Sequence, residues 1–163
     1  MTQPENFSGT PKENLRASRI LCISLITGSF LFAVIIIIVN QFSGPFMEET
    51  NQYSNIFLSV LAIISSICIF KAIQQYSKGI TLAKSLDNSL NDKLNQYRAS
   101  LIIYMALCEG PALFSVVMFL LLGNFFLLIF TAIILVVMLR KYPTVKKAIN
   151  ELELNWQEQE QLK

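Results

Sequence analysis

The chain has 163 residues, of which 53% are hydrophobic and only 15% are charged, with a net charge of +2. Soluble domains usually carry about 25% charged residues, and here the apolar residues are gathered in long blocks. This composition excludes an ordinary soluble domain, and the small net charge gives no extended surface for nucleic acid. The chain has no histidine, the commonest general base and metal ligand. We therefore expect an all-α membrane protein in the lipid bilayer, with no cofactor and no metal.

The three cysteines are Cys22, Cys68 and Cys108. All three lie inside apolar runs, and none belongs to a CxxC pair. We therefore interpret them as small buried hydrophobic residues rather than as ligands or disulfide partners.

The N-terminal residues 1–14 are polar and contain prolines, which predicts a disordered cytoplasmic tail, with Asn14 capping a helix that begins at Leu15. The first apolar run, residues 20–39, rises about 30 Å as a helix and matches the hydrocarbon core of a bilayer. A cleaved signal peptide is the alternative, but the run is too long for one, and no small-x-small site follows it. We predict a retained span at about 18–41.

Three more spans are predicted at about 55–72, 98–122 and 125–141, which gives a four-helix transmembrane domain over residues 15–142. The apolar part of the fourth span, residues 125–139, rises only about 22 Å. Either Tyr142 completes it or the bilayer thins locally.

Between spans two and three, apolar residues recur at spacings of three and four, which predicts an extended cytoplasmic helical hairpin. They are Ala83, Leu86, Leu90, Leu94 and Tyr97. Gly79 or Asp87 with Asn88 is expected to break the helix. The stripe closes the hairpin on itself, lies on lipid headgroups or binds a partner.

Residues 143–163 are predicted to form a cytoplasmic helical tail. Pro143 ends the fourth span, and Thr144 can cap the next helix. Asn155 and Glu158 have the spacing of a capping box, so a further helix is expected near Trp156.

The basic residues determine the predicted orientation. All thirteen lie before span one, between spans two and three, or after span four, and the other two loops have none. Basic flanks remain cytoplasmic, so both termini and the hairpin are predicted to face the cytoplasm.

Glu109 is the candidate functional residue. It lies eleven residues beyond Arg98, which places it about 16 Å into span three and near the bilayer midplane. A charged carboxylate there costs at least about 2.5 kcal/mol, and such residues usually face a bundle interior or mark an ion or proton pathway. Pro111 leaves the Leu107 carbonyl without its backbone donor, and Gly110 adds flexibility, which predicts a small polar pocket or a hinge.

Hydroxyl groups from the other spans are the candidate partners of Glu109. Counting the helical rise from the cytoplasmic ends gives Thr27, Ser29, Ser59 and Thr131 similar depths. We therefore predict a polar layer at mid-membrane. A proton or ion site is one interpretation, and a protonated glutamate that simply bridges helices is the other.

The segment 106–117, ALCEGPALFSVV, resembles the carboxylate helix of subunit c, the rotor-ring proteolipid of F- and V-type ATP synthases. That resemblance covers a dozen residues and implies a proton-carrying role for Glu109. About two-thirds of the chain is similar to a family of small bacterial four-span proteins of unassigned function, through E-G-P-A at 109–112, a G-N turn at 123–124 and a tail at 143–154. The similarity implies the bacterial cytoplasmic (inner) membrane.

Two functions remain open. The first is an accessory or scaffold protein that binds another membrane protein or a second copy of itself. The second is a proton- or ion-coupled element that uses Glu109. An enzyme is not expected, because the chain has neither H-E-x-x-H nor G-x-S-x-G.

Overall fold

The computed structural model describes residues 10–47, 51–86 and 89–162, with the backbone alone at 51–54. These residues form six α-helices: α1 Pro11–Ser43, α2 Asn51–Lys84, α3 Leu90–Leu122, α4 Phe126–Arg140, α5 Val145–Leu152 and α6 Trp156–Leu162. Three of them, α1, α2 and α3, are long and apolar enough to cross a membrane. A fourth crossing is reached if α4 and α5 are joined across their 73° bend. The protein is therefore all-helical, with three to four candidate membrane spans.

The central helix is α3. It packs against α1, α2 and α4, which contact one another far less. Half of the residues in the apolar window of α3 are buried, against 28% in α1 and 17% in α2. The outer faces of α1 and α2 expose large side chains such as Ile35 and Ile63. So large an exposed apolar surface is typical of a membrane protein.

The two ends of the bundle differ in charge. Three contacts tie one end together: Arg19 Nε donates to the Pro143 carbonyl at 3.0 Å, Lys84 pairs with Glu153 at 2.6 Å, and Lys93 pairs with Glu158 at 2.8 Å. These contacts bring the start of α1, the α2–α3 junction and the C-terminal tail to the same end. We call it the charged end. At the opposite end, the Met47 N–H donates to the Leu121 carbonyl at 2.9 Å.

Helix α1 begins four residues earlier than predicted. Thr10 is its N-cap and forms a complete capping box with Glu13, and Pro11 is the first helical residue. The prediction that Asn14 caps the helix is therefore wrong, and residues 11–14 are helical; residues 1–9 lie outside the described range. Asn14 is fully buried instead, and its Nδ2 donates to Asn95 Oδ1 of α3 at 2.6 Å.

Helix α2 runs without a break past Gly79 and ends at Lys84, which excludes Gly79 as one of the two alternative break positions. A Cβ at this position would lie 1.9 Å from Ser100 Oγ, which shows how closely α2 approaches α3. The alternative break at Asp87 and Asn88 lies outside the described residues. Four residues of the apolar stripe are buried in a core that also contains Ala148 and Leu152 of the tail, and the fifth, Leu86, is half-buried.

The tail caps follow the predictions. The Thr144 side chain accepts from the Lys147 N–H at 3.2 Å and begins α5. Asn155 and Glu158 form the predicted reciprocal capping box, with bonds of 2.8 and 2.9 Å. Both helices contact the charged end: Glu151 of α5 accepts the Tyr76 hydroxyl of α2, and Glu158 of α6 pairs with Lys93 of α3.

Candidate functional site

Glu109 lies midway along α3, half-buried, on the side that faces α1. Ser29 of α1 is 1% exposed, and its hydroxyl donates to Glu109 Oε1 at 3.4 Å. An O–H···O bond is usually about 2.7 Å long, so this contact is weak. It nevertheless joins a carboxylate to a buried hydroxyl between two long apolar helices.

The other three predicted partners occupy different places. Thr131 of α4 is buried, and its hydroxyl donates to the Ala112 carbonyl at 3.2 Å, one turn beyond Glu109. Ser59 is exposed and donates to the Asn55 carbonyl of its own helix at 2.9 Å. Thr27 is also exposed. The predicted layer is corrected in this respect, because helical depth gives the height of a residue and not its direction around the axis.

The proline after Glu109 does not interrupt the helix. Helix α3 continues through Pro111, which is buried, while Leu107 is half-buried. Gly110 is exposed, and a Cβ there would meet nothing within 4 Å. The region near Glu109 is therefore helical, with open space beside Gly110.

That open space belongs to a longer uncovered stripe on α3. The stripe consists of exposed residues spaced three or four apart, namely Ile103, Ala106, Gly110, Phe114 and Val117. Glu109 lies on one side of it and contacts α1, whereas Ser100 lies on the other side and contacts α2 at Gly79. Since Ala112 faces α4 through Thr131, the stripe is the face of α3 that is left uncovered by the helices of the described residues. We call it the open face. This face was not predicted from the sequence. The pair of small residues four apart, Ala106 and Gly110, could have indicated it, because such pairs mark faces where membrane helices approach closely.

A second polar cluster lies near the charged end. The Tyr76 hydroxyl donates to Glu151 of α5, and Lys141 Nζ lies 3.4 Å from the same carboxylate and 4.1 Å from the centre of the Tyr76 ring. Tyr97 and Tyr104 pack edge-on against Tyr76, with ring centres 6.5 and 5.6 Å away. Here the carboxylate has both a cation and a hydroxyl, so the arrangement is that of a structural anchor for the tail.

Within the described residues, no group of three or more histidine, cysteine, aspartate or glutamate side chains could hold a metal ion. Comparisons with protein-family models, with curated proteins and with solved structures found no match to this chain. The features of the molecule that bear on its function are Glu109, its contact with Ser29 and the open face.

Proposed function

We propose that the chain crosses the bacterial inner membrane four times, with both termini and the α2–α3 hairpin in the cytoplasm. The proposal is supported by the contacts that bring the start of α1, the α2–α3 junction and the tail together at the charged end. Helix α4 is the fourth span by itself, because α5 carries Lys146, Lys147 and Glu151, which are costly in lipid. Its 15 residues measure about 22 Å, so the bilayer thins locally beside it.

Within that membrane, the protein acts as a non-catalytic accessory protein whose open face binds a transmembrane helix of another membrane protein. The observation that carries this proposal is the uncovered stripe of α3. Ala106 and Gly110 let a second backbone approach closely, which is how membrane helices associate where no hydrophobic effect drives them together. Glu109 lies at the edge of the stripe, and its long bond to Ser29 leaves it able to hydrogen-bond the incoming helix.

Site-specific photocrosslinking in native membranes tests the proposal. A crosslinking residue is placed at Ala106, Gly110 or Val117, and controls are placed at Ile63 of α2 and Ile133 of α4, which are more exposed than Val117. We expect one protein adduct of defined mass from the three α3 positions and lipid adducts from the controls. An adduct of twice the mass of the chain identifies the partner helix as a second copy. Equal yields at all five positions contradict the proposal.

The second candidate function is a proton- or ion-coupled element, which the Ser29–Glu109 contact specifically favours. The contact places a carboxyl group and a hydroxyl group together between two apolar helices, where membrane proteins build ion and proton pathways. The resemblance of segment 106–117 to the rotor-ring helix is consistent with this role. Glu109→Gln should then abolish proton flux in vesicles while the protein stays folded, and unchanged flux removes the candidate.

A further inference from the structure

At the charged end, the first turns of α1 form one wall of a cavity of about 660 Å³. Its walls carry three cations, Lys12, Arg16 and Arg19, and one carboxylate, Glu13. Val145 of α5 and Leu162 of α6 complete it with apolar surface. We call this the basic cavity.

Among the residues that the structure describes, no carboxylate forms an ion pair with Arg16 or Arg19. Glu13 accepts the Thr10 backbone N–H at 2.8 Å as part of the capping box. Glu151, Glu153 and Glu158 are paired with lysines of the α4 end, α2 and α3. Asp92 accepts the Ser89 hydroxyl, and neither Asp92 nor Glu160 lines the cavity. Positive charge therefore exceeds negative charge in the basic cavity.

A second groove lies further along α1, toward the middle of the bundle. It has a volume of about 430 Å³, and its lining is almost wholly apolar, from Ile26 and Phe30 of α1 and from Ala132, Leu135 and Leu139 of α4. We call it the apolar groove.

Both features lie on the same side of α1. Arg19, Ile26 and Phe30 are separated by seven and four residues, which is the spacing of a single helical face. Phe30 is eleven residues beyond Arg19, so the apolar groove reaches about 16 Å along the helix axis from Arg19. Cationic side chains above an apolar groove match a phospholipid, whose phosphate lies at the membrane surface and whose acyl chain lies below it.

We propose that an anionic phospholipid of the cytoplasmic leaflet binds here, with its phosphate against Arg16 and Arg19 and one acyl chain in the apolar groove. Guanidinium groups bind phosphate through two parallel hydrogen bonds. Arg19 is already held in position, because its Nε donates to the Pro143 carbonyl at 3.0 Å. This inference rests on the proposed insertion and orientation, but not on the open face or on Glu109.

Native mass spectrometry of the full-length protein, released from nanodiscs that contain equal amounts of phosphatidylglycerol and phosphatidylcholine, tests the site. We expect one phosphatidylglycerol molecule to be retained in preference to phosphatidylcholine. A basic residue at the surface contributes about fivefold in affinity for an anionic lipid, so Arg16→Gln with Arg19→Gln should reduce the preference about 25-fold. Arg16→Gln alone, at an exposed position, should reduce it about fivefold and guards against misfolding of the double variant.

The control for charge is Lys71→Gln with Lys78→Gln, two exposed positions on α2 that remove the same charge outside the cavity. The control for the acyl chain compares Ala132→Phe, which fills the apolar groove, with Ile133→Phe on the neighbouring exposed position. The lysine variant and Ile133→Phe should retain the lipid, and Ala132→Phe should lose it.

An equal loss in the lysine and arginine variants, or retention in all of them, overturns the proposal. Competition by millimolar inorganic phosphate also overturns it, since the ligand would then be a free anion. A protein that does not enter nanodiscs at all contradicts the proposed membrane insertion instead, so the two failures are distinguishable.

Discussion

The charged end and the middle of the bundle treat a carboxylate in opposite ways. Glu151 at the charged end is held by the Tyr76 hydroxyl and by Lys141, beneath a cluster of packed aromatic rings. Glu109 in the middle has the Ser29 hydroxyl at 3.4 Å and lies beside the open face. Glu151, where the tail contacts the bundle, thus has both a hydroxyl donor and a cation, whereas Glu109 has one long hydrogen bond. This difference is consistent with the proposal that Glu109 hydrogen-bonds a partner helix at the open face, since its own fold gives it a single long hydrogen bond.

The largest expected loss of unfolding free energy comes from a substitution where α2 closely approaches α3. Gly79→Leu forces a side chain against Ser100, whose Cβ would lie 2.8 Å from the new Cβ. Overpacking of this kind costs about 2 to 3 kcal/mol. Gly28→Leu is the control, because a Cβ there meets nothing within 4 Å. Unfolding free energies from detergent titration should fall for the first variant and stay near the wild-type value for the second. Equal losses would contradict the close α2–α3 approach.

The two carboxylates can be compared directly. Tyr76→Phe removes a hydrogen bond to the charged Glu151 and should lower the unfolding free energy by about 1.5 kcal/mol. Glu109→Gln keeps an acceptor for Ser29 and should change it by about 0.6 kcal/mol or less. The same titration measures both variants. A larger loss for Glu109→Gln than for Tyr76→Phe would show that Glu109 is the structural residue of the two.

The pH dependence of the tail sharpens the comparison further. Burial raises the pKa of Glu158, but the hydrogen bond and charge of Lys93 and the Asn155 N–H outweigh it, so the pKa lies below its ordinary value of 4.5. A lowered pKa stabilises the docked tail above that value, and the contribution is lost as the pH falls through the lowered pKa. Emission from Trp156, the single tryptophan, should therefore change in acid below pH 4.5. Glu158→Gln should lack this step, and an unchanged titration in that variant would assign the change to another group.

The smallest effect is expected at the rim of the charged end. Lys84 and Glu153 form an ion pair, but the Glu153 side chain is 74% exposed. Exposed pairs contribute about 0.2 to 1 kcal/mol and are screened by salt. Lys84→Ala should therefore lower the unfolding free energy by about 0.5 kcal/mol or less, and the difference should vanish at 1 M salt. A salt-independent loss would indicate packing by the lysine stem.

Much of the helical framework could be predicted from the sequence, because apolar blocks and caps are local signals. The Asn155–Glu158 capping box was predicted in this way. The Thr10–Glu13 box, the same signal, was overlooked in favour of Asn14. The sequence left two positions open for the helix break, and it could not exclude Gly79 because the role of this glycine depends on Ser100 of another helix, which no local propensity reports.

For the candidate site, the sequence could predict how far along its helix each residue lies, but not the direction in which it faces around the helix axis. Counting residues along each helix placed Ser29 at the height of Glu109, and the structure joins them. The same count selected Thr27 and Ser59, which lie on exposed faces, because rotation about a helix axis is determined by packing. The bond between Tyr76 and Glu151 joins residues 75 positions apart and depends on the folded tail, so the sequence carried no local signal for it.

Cysteine labelling of the two ends of the bundle is a direct test of the proposed topology, in which the chain crosses the membrane four times and the charged end faces the cytoplasm. In a variant without Cys22, Cys68 and Cys108, single cysteines replace Phe46 at one end or Gln157 at the other, both exposed positions. A membrane-impermeant maleimide is then applied to intact spheroplasts. We expect Phe46→Cys to be labelled in intact spheroplasts and Gln157→Cys to be labelled only after lysis. Labelling of both in intact spheroplasts would contradict the four-span arrangement with a cytoplasmic charged end.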